Sequence, residues 1–240
     1  MSVRPVKHVS TCKICGAHAN LHGVVDFNKS CQAERGMFTQ LRGEAVWYYR
    51  CTQCQFLFTE HCDDWTPAQF KERIYNDDYA LIDPDYAVRP VINAANVRNY
   101  VRRHGLPRIL DFGGGSGELA RILAGDGFSA ASWDPMVTVG LPVADLNNDL
   151  VCAFEVFEHT PDPYHTLRDA RGALRPGGHL VFSTLTLDDL PPQACDHWYI
   201  APRNGHISLH TTRSLDRLFA RFDMVVHHVD RVLHIAIKPA

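Results

Sequence analysis

RILDFGGGSGELARIL, residues 108–123, is the stretch on which the fold turns. Ile109 and Leu110 end a short apolar strand, and Asp111 sits at its tip. Gly113, Gly114, Gly115 and Gly117 make a turn, and Glu118 to Leu123 open a helix. Residues without a Cβ let the backbone turn tightly and come close to a ligand. The helix start then offers N–H groups with no intrahelical partner. The result is a nucleotide-type cradle, and two patterns fit it. Gly115-x-Gly117-x-x-Ala120 matches the dinucleotide fingerprint. Asp111-x-Gly113-x-Gly115-x-Gly117 places a carboxylate ahead of the turn. That carboxylate repels a pyrophosphate and attracts a ligand carrying an ammonium, to which a charge-assisted hydrogen bond is worth about 1.5–3 kcal/mol.

Downstream, Phe128 to Trp133 reads as a second strand, ending at Asp134. An acid about 20 residues beyond a glycine turn is placed to grip a ribose diol, since a carboxylate can accept from both hydroxyls. The link from Pro135 to Asn148 is short for a helix and a third strand, because a parallel crossover needs a dozen residues or more. The third strand is therefore expected to be abbreviated. Asp149 to Phe154 is a continuous apolar run, as in a buried parallel strand. Glu155-Val156-Phe157-Glu158-His159 follows at its C-terminal edge, where open α/β sheets bind ligands. Pro163 to Leu174 reads as a helix closed by Arg175-Pro176-Gly177-Gly178, and His179 to Thr184 as the next strand. Residues 223–229 and 232–237 form an antiparallel finish.

Before residue 100 the strongest signal is Cys12-x-x-Cys15 with Cys51-x-x-Cys54. Each pair can place two thiolates on one knuckle, and together they can supply the four-sulfur tetrahedron that Zn²⁺ favours. Val46–Arg50 and Gln55–Thr59 flank the second knuckle as a hairpin, which makes the pattern a zinc ribbon. The long gap between the pairs requires an insertion that loops out around residues 25–31. Cys31, His61 and Cys62 are expected as bystanders to the metal, with Cys31 a candidate neighbour of the active site. Thr66 and Pro67 look like an N-cap and first helical residue. Residues 74–90 read as a Tyr- and Asp-rich loop. Residues 90–104 read as an amphipathic helix with Val91, Ala94, Val97, Tyr100 and Val101 on one side. The domain plan is thus a zinc-ribbon module over 1–65, a helical connector or lid over 66–105 and an α/β domain over 106–240.

With 240 residues, 45% hydrophobic content and a net charge of −3, the chain has a soluble composition and no general attraction to nucleic acid or anionic membrane. The N-terminus lacks a signal-peptide core, and no stretch has the length of a spanning helix. The expected location is cytoplasmic, where eight cysteines serve better as metal ligands or buried thiols than as disulfides.

Taken together, LDFGGGSG, WDP, DLVCAFEVFEHTPDP and LRPGGHLVFST resemble the class I S-adenosylmethionine (SAM) methyltransferases. With the cysteine pairs, the chain is similar to the subgroup that carries an N-terminal four-cysteine zinc-binding module and includes deoxysugar C-methyltransferases. The resemblance implies an α/β, Rossmann-like seven-stranded sheet and SAM as methyl donor. It puts Asp111, Gly113, Gly114, Gly115 and Gly117 at the methionine end, Asp134 on the ribose, and Phe154 and Glu155 beside the cofactor. It also implies structural zinc on Cys12, Cys15, Cys51 and Cys54. In such enzymes the segment before the first sheet strand often closes over SAM. Tyr75, Tyr79, Tyr86 and Arg89 are the candidates for that lid, with Arg89 facing the SAM carboxylate.

Methyl transfer from a sulfonium needs alignment first, and a base when the acceptor is a hydroxyl or a carbon acid. Two stretches offer one. Glu155-x-x-Glu158-His159 is similar to the E-x-x-E-H signature of metal-assisted O-methyltransferases. On that analogy Glu155, Glu158 and His159 would hold a second divalent ion, with His206 or His210 completing the shell; without metal, Glu158 and His159 would orient a loop or act as base. The other stretch is residues 196–210, in which His206 or Tyr199 is the expected base and Arg203 a contact to an anionic acceptor. A His base with the ordinary pKa near 6.5 predicts a pH–rate inflection between about 5.5 and 8. The reading is a methyltransferase for a small-molecule O or C nucleophile, a sugar or other metabolite, with no nucleic-acid or membrane partner. Its rivals are an RNA methyltransferase gripping nucleic acid with the zinc module, and a non-catalytic SAM-binding protein. Lys7, Lys13, Lys29, Arg35, Arg42 and Arg50 are too offset by acids to favour the first.

Overall fold

The computed structural model describes residues 8–137 and 146–240. Eleven strands among them form two sheets. The larger is mixed. β5 (Arg108–Phe112), β6 (Ser129–Trp133), β7 (Asn148–Phe154) and β8 (Leu174–Ser183) are parallel neighbours in the order β8-β7-β5-β6. β11 (Leu233–Ile237) pairs antiparallel with β8, and β10 (Val226–His228) with β11. The sheet has six strands among the described residues, where seven were expected. The abbreviated third strand would fall on residues 138–145, outside the described residues. Helices α3 (Arg89–His104) and α4 (Glu118–Gly125) cover one face, and α5 (Pro163–Ala173) and α6 (Thr212–Ala220) the other. The apolar side of α3 is narrower than its sequence suggests. Ala94, Val97 and Val101 are buried, but Val91 is exposed.

The smaller sheet holds β1 (Val9–Thr11), β2 (His18–Asp26), β3 (Ala45–Cys51), β4 (Leu57–Thr59) and β9 (Ser208–Leu209), in that order and all antiparallel. The expected hairpin around Cys51–Cys54 is present as β3 and β4. The gap between the cysteine pairs is not simply a loop from residue 25, because β2 runs on to Asp26 and only 27–44 leave the sheet, with a 3-10 turn at Cys31–Arg35. The last strand, β9, comes from the far end of the chain: Leu57 faces Leu209, and Phe58 faces Ser208. One apolar cluster therefore contains Phe27, Tyr48 and Leu57 from the N-terminal part together with Leu190, Ile200 and Leu209. Thr66 caps α1 (Pro67–Arg73) through a capping box with Gln69. The 74–90 segment contains one helical turn, α2 (Tyr79–Ile82). No helix among the described residues is long and apolar enough to cross a membrane.

Candidate active site

The glycine turn leaves β5 beneath the C-terminal edge of the large sheet. Gly113 has φ +73°, and a Cβ there would lie 2.6 Å from Val156 Cγ2. At Gly114 a Cβ would lie 2.3 Å from both Asp111 Oδ2 and Ser132 Oγ. Neither position admits another residue without displacing the carboxylate or the loop. Asp111 is 4% exposed, and its Oδ2 has no hydrogen-bond partner. Burial, and then the charge of Asp134, push its carboxyl up to about 7. Asp134 ends β6, and both its oxygens accept backbone N–H groups: Oδ2 from Gly115 at 2.9 Å and Oδ1 from Met136 at 2.7 Å. Each carboxylate oxygen can accept more than one hydrogen bond, so these anchors leave acceptor capacity on both oxygens.

A cavity of about 1230 Å³ opens over this turn and runs to the far side of the sheet edge. The segment 74–90 forms one wall. Tyr75, Tyr79 and Tyr86 pack edge-on in series, at 5.2 and 5.7 Å between ring centres. Tyr86 Oη reaches the turn, lying 2.9 Å from where a Cβ of Gly115 would be. Arg89 lines the cavity as expected, but its guanidinium grips buried Asp83 with two bonds, at 2.6 and 2.8 Å. That fork holds the 74–90 segment together and leaves Arg89 only its remaining donors for the cavity.

The opposite wall is built from residues 198–206. Phe154, Glu155, His159, Tyr199 and His206 all line the cavity. Tyr199 donates to Glu158 Oε1 at 2.5 Å. Glu158 itself is 0% exposed and lies behind the tyrosine, not on the cavity surface. Burial, then the charge of Glu155, hold its carboxyl well above the carboxylate range. Glu158, expected to orient a loop or act as base, thus stands off the cavity surface, with Tyr199 between the two. Glu155 is not among the residues whose donor atoms converge with Glu158 and His159, and its Oε1 accepts from Ser183 at 2.7 Å. The residues that do converge are Glu158, His159 and His206, whose candidate donor atoms lie within 4.8 Å of one another. His210 is excluded from that group, since it is buried against Phe56 and Phe157 with Nδ1 on Ser214. Arg203 does not face an acceptor either. It is 6% exposed and donates to the Ile74 carbonyl and to Asn76, pinning that stretch to the 202–204 turn.

His206 Nδ1 lies 2.9 Å from the Tyr199 carbonyl, and its ring is 4.2 Å from that of Tyr199. Burial pulls its pKa down to about 4, which moves the expected pH–rate inflection below the 5.5–8 interval. Cys31 does neighbour the site: its Sγ is 3.7 Å from His206 Nδ1, and burial pushes its thiol up to about 12. The sequence pointed at none of the backbone clamps that hold this wall. Lys29 Nζ donates to the carbonyls of His197 and Ile200 at 2.8 and 2.7 Å. Tyr48 Oη donates to the His206 carbonyl at 2.7 Å, and Asn204 accepts from Cys31 N–H at 2.9 Å.

On the far side of the small sheet, Cys12, Cys15, Cys51 and Cys54 converge. Three of their sulfur–sulfur distances are 3.5, 3.6 and 3.7 Å. A tetrahedron with Zn–S bonds of about 2.3 Å has edges of about 3.8 Å, so the donor set fits the ion. His61 instead pairs with Glu44, and Cys62 lies buried in the apolar cluster.

A family model described as "Methyltransferase domain" matches residues 93–229. The chain belongs to this methyltransferase-domain family. Among curated relatives, a ubiquinone biosynthesis O-methyltransferase of Vibrio cholerae serotype O1 is 30% identical over 115 residues, covering 36% of this chain and 47% of that protein. One from Vibrio parahaemolyticus is 28% identical over 102 residues, covering 32% and 43%. The chain spans less than half the length of these relatives. An O-methyltransferase family protein from Burkholderia thailandensis superposes with a TM-score of 0.47 at 15% identity, covering 71% of this chain and 63% of that one. The glycine turn lies within the matched span, and Gly114→Ala tests whether it cradles the cofactor. The added Cβ must displace Asp111. The expected result is at least a tenfold loss of SAM affinity by calorimetry, about 1.4 kcal/mol, with the thermal transition retained.

Proposed function

We propose that this chain transfers a methyl group from SAM to a small-molecule acceptor, with His206 as base, and that the module on Cys12, Cys15, Cys51 and Cys54 holds structural zinc. The carrying observation is that one cavity contains both the glycine turn and the His159–His206 wall. At about 1230 Å³ it exceeds the roughly 300–1,000 Å³ of a single small-molecule site, so donor and acceptor have room side by side. In the proposed complex the methionine end of SAM lies against Asp111 and the glycines, the ribose against Asp134, and Phe154, Glu155, Tyr79 and Arg89 border the cofactor. SAM supplies an already activated methyl group. The chain's own part is to align it, exclude water with the lid and take up the acceptor's proton. Tyr199 and Glu158 buttress His206, and His159 faces it at 5.0 Å between ring centres.

The lining argues against an RNA acceptor. Asp111, Asp134, Glu155, Asp162 and Asp169 contribute to it, while Arg35 and Arg89 are already paired with Asp85 and Asp83. A polyanion would meet an acidic wall with few free cations. The acceptor is therefore neutral or cationic. A metabolite hydroxyl suits a neutral imidazole base, and the relatives' printed name, an O-methyltransferase, supports that reading. A second divalent ion on Glu155, Glu158 and His159 is not part of it. Glu155 is outside the group whose donor atoms converge, its Oε1 accepting from Ser183, and Glu158 spends one oxygen on Tyr199, which leaves a hard cation too few oxygens.

Purified protein incubated with methyl-labelled SAM and a cell extract gives label in a ribonuclease-resistant small-molecule fraction; label in a ribonuclease-sensitive polymer would overturn the proposal. The pH dependence follows from Asp111. Its carboxyl, raised to about 7, is charged above that pH and neutral below it. An ammonium ligand prefers the charged form, so kcat/KM for SAM falls as pH drops below about 7. His206, near 4, stays neutral from pH 5.5 to 8, so kcat at saturating SAM is flat there. Asp111→Asn removes the first dependence. Metal analysis gives one zinc per chain, and Cys51→Ser loses it together with several degrees of thermal stability.

A further inference from the structure

The two imidazoles that face the cavity differ in which nitrogen carries the proton, and their partners fix the difference. His206 Nδ1 sits 2.9 Å from the Tyr199 carbonyl oxygen, which can only accept. Nδ1 is therefore the protonated nitrogen, and Nε2 holds the ring's lone pair. The thiol of Cys31, at 3.7 Å from the same Nδ1, lies beside this bond and does not replace it.

His159 has the opposite arrangement. Its Nδ1 is 3.1 Å from Tyr75 Oη. That phenol has no other hydrogen-bond partner among the described residues. Were Nδ1 the donor, the phenolic hydrogen would be left unpaired in a buried place, which is unfavourable. The paired arrangement has Tyr75 donating to Nδ1, which puts the ring proton of His159 on Nε2. Burial holds both imidazoles neutral near pH 7 and keeps the Tyr75 phenol protonated.

We infer that Tyr75 is a positioning residue that locks His159 as a hydrogen-bond donor opposite the acceptor nitrogen of His206, so that the site is built for a hydroxyl acceptor. Only a group that both donates and accepts is served by the two rings at once. A hydroxyl donates to His206 Nε2 and accepts from His159 Nε2–H. An ammonium has no lone pair for His159, and a carboxylate has no proton for His206. This inference rests on the methyltransferase reading above. As the new O–CH3 bond forms and the S–CH3 bond breaks, its electron pair stays on sulfur. The hydroxyl proton passes to His206 Nε2 and then to solvent. Tyr75 lies in the lid and begins the series Tyr75–Tyr79–Tyr86 that ends over Gly115. The element that covers the cofactor turn thus also sets the protonation pattern at the acceptor end.

The test reads tautomers directly, by long-range ¹H–¹⁵N correlation on full-length protein with ¹⁵N-labelled histidine at pH 7. Assignment uses His159→Asn and His206→Asn. The expected spectrum shows His206 protonated on Nδ1 and His159 on Nε2. In Tyr75→Phe the His159 pattern changes to Nδ1–H or to averaging of the two forms, while His206 is unmoved. His159 found as Nδ1–H in the wild type would overturn the inference and free Nε2 as a metal ligand would require. An unchanged His159 in Tyr75→Phe would overturn the role of Tyr75. Should that variant fail to fold, the wild-type spectrum alone decides the tautomers. With ¹³C-methyl SAM, the labelled product carries its carbon as an O-methyl group; methyl on nitrogen or carbon would overturn the hydroxyl assignment. Absence of any methyl transfer would sink the proposed function and leave the tautomer result standing, so the two failures are distinguishable.

Discussion

The wall that carries Tyr199 and His206 has almost no secondary structure of its own, and its backbone must still be satisfied. A buried carbonyl without a partner costs free energy comparable to a lost hydrogen bond. The N-terminal part supplies the partners. Lys29 closes the His197 and Ile200 carbonyls, Tyr48 closes that of His206, and β4 pairs with β9 just beyond. Everything proposed for the acceptor end depends on this constraint. The proposed base is aimed by a loop that another part of the chain holds in place.

That dependence gives the four-cysteine module a role in the site. Its knuckle at Cys51–Cys54 is continuous with β3 and β4, and β4 holds β9. Thr211, the N-cap of α6, donates to the Cys54 carbonyl at 2.7 Å, and Arg221 donates to the Ile14 carbonyl at 3.0 Å. The two cysteine knuckles are thereby fastened to the large sheet's own helix. Metal at this point would stiffen the floor under residues 197–211 while standing clear of the cavity.

The large sheet was legible because its signals are local. A glycine turn after an apolar run, an acid at the next strand end and apolar strands of the right period each carry their meaning in a few adjacent residues. The cysteine pairs are legible for the same reason. The acceptor wall was only half legible. A non-periodic run containing Tyr199 and His206 marked it, but which of its groups face inward depends on contacts far away in sequence. Arg203 and His210 look like ligands in a list and are structural in space, because Ile74, Asn76 and Phe56 claim them. Lys29 looks like one more solvated cation until residues 197 and 200 fold back on it. Tyr75 reads as lid, and its tie to His159 needs the lid and the sheet edge brought together.

The claim that one part of the chain aims the base carried by the other is tested most directly with Lys29→Met, which keeps the length of the stem and removes the donor. Methyl transfer at saturating SAM is measured beside SAM affinity. The account predicts that kcat falls at least tenfold, about 1.4 kcal/mol, while SAM binds as before at the distant glycine turn. Transfer at the wild-type rate, or a loss confined to SAM affinity, would contradict it.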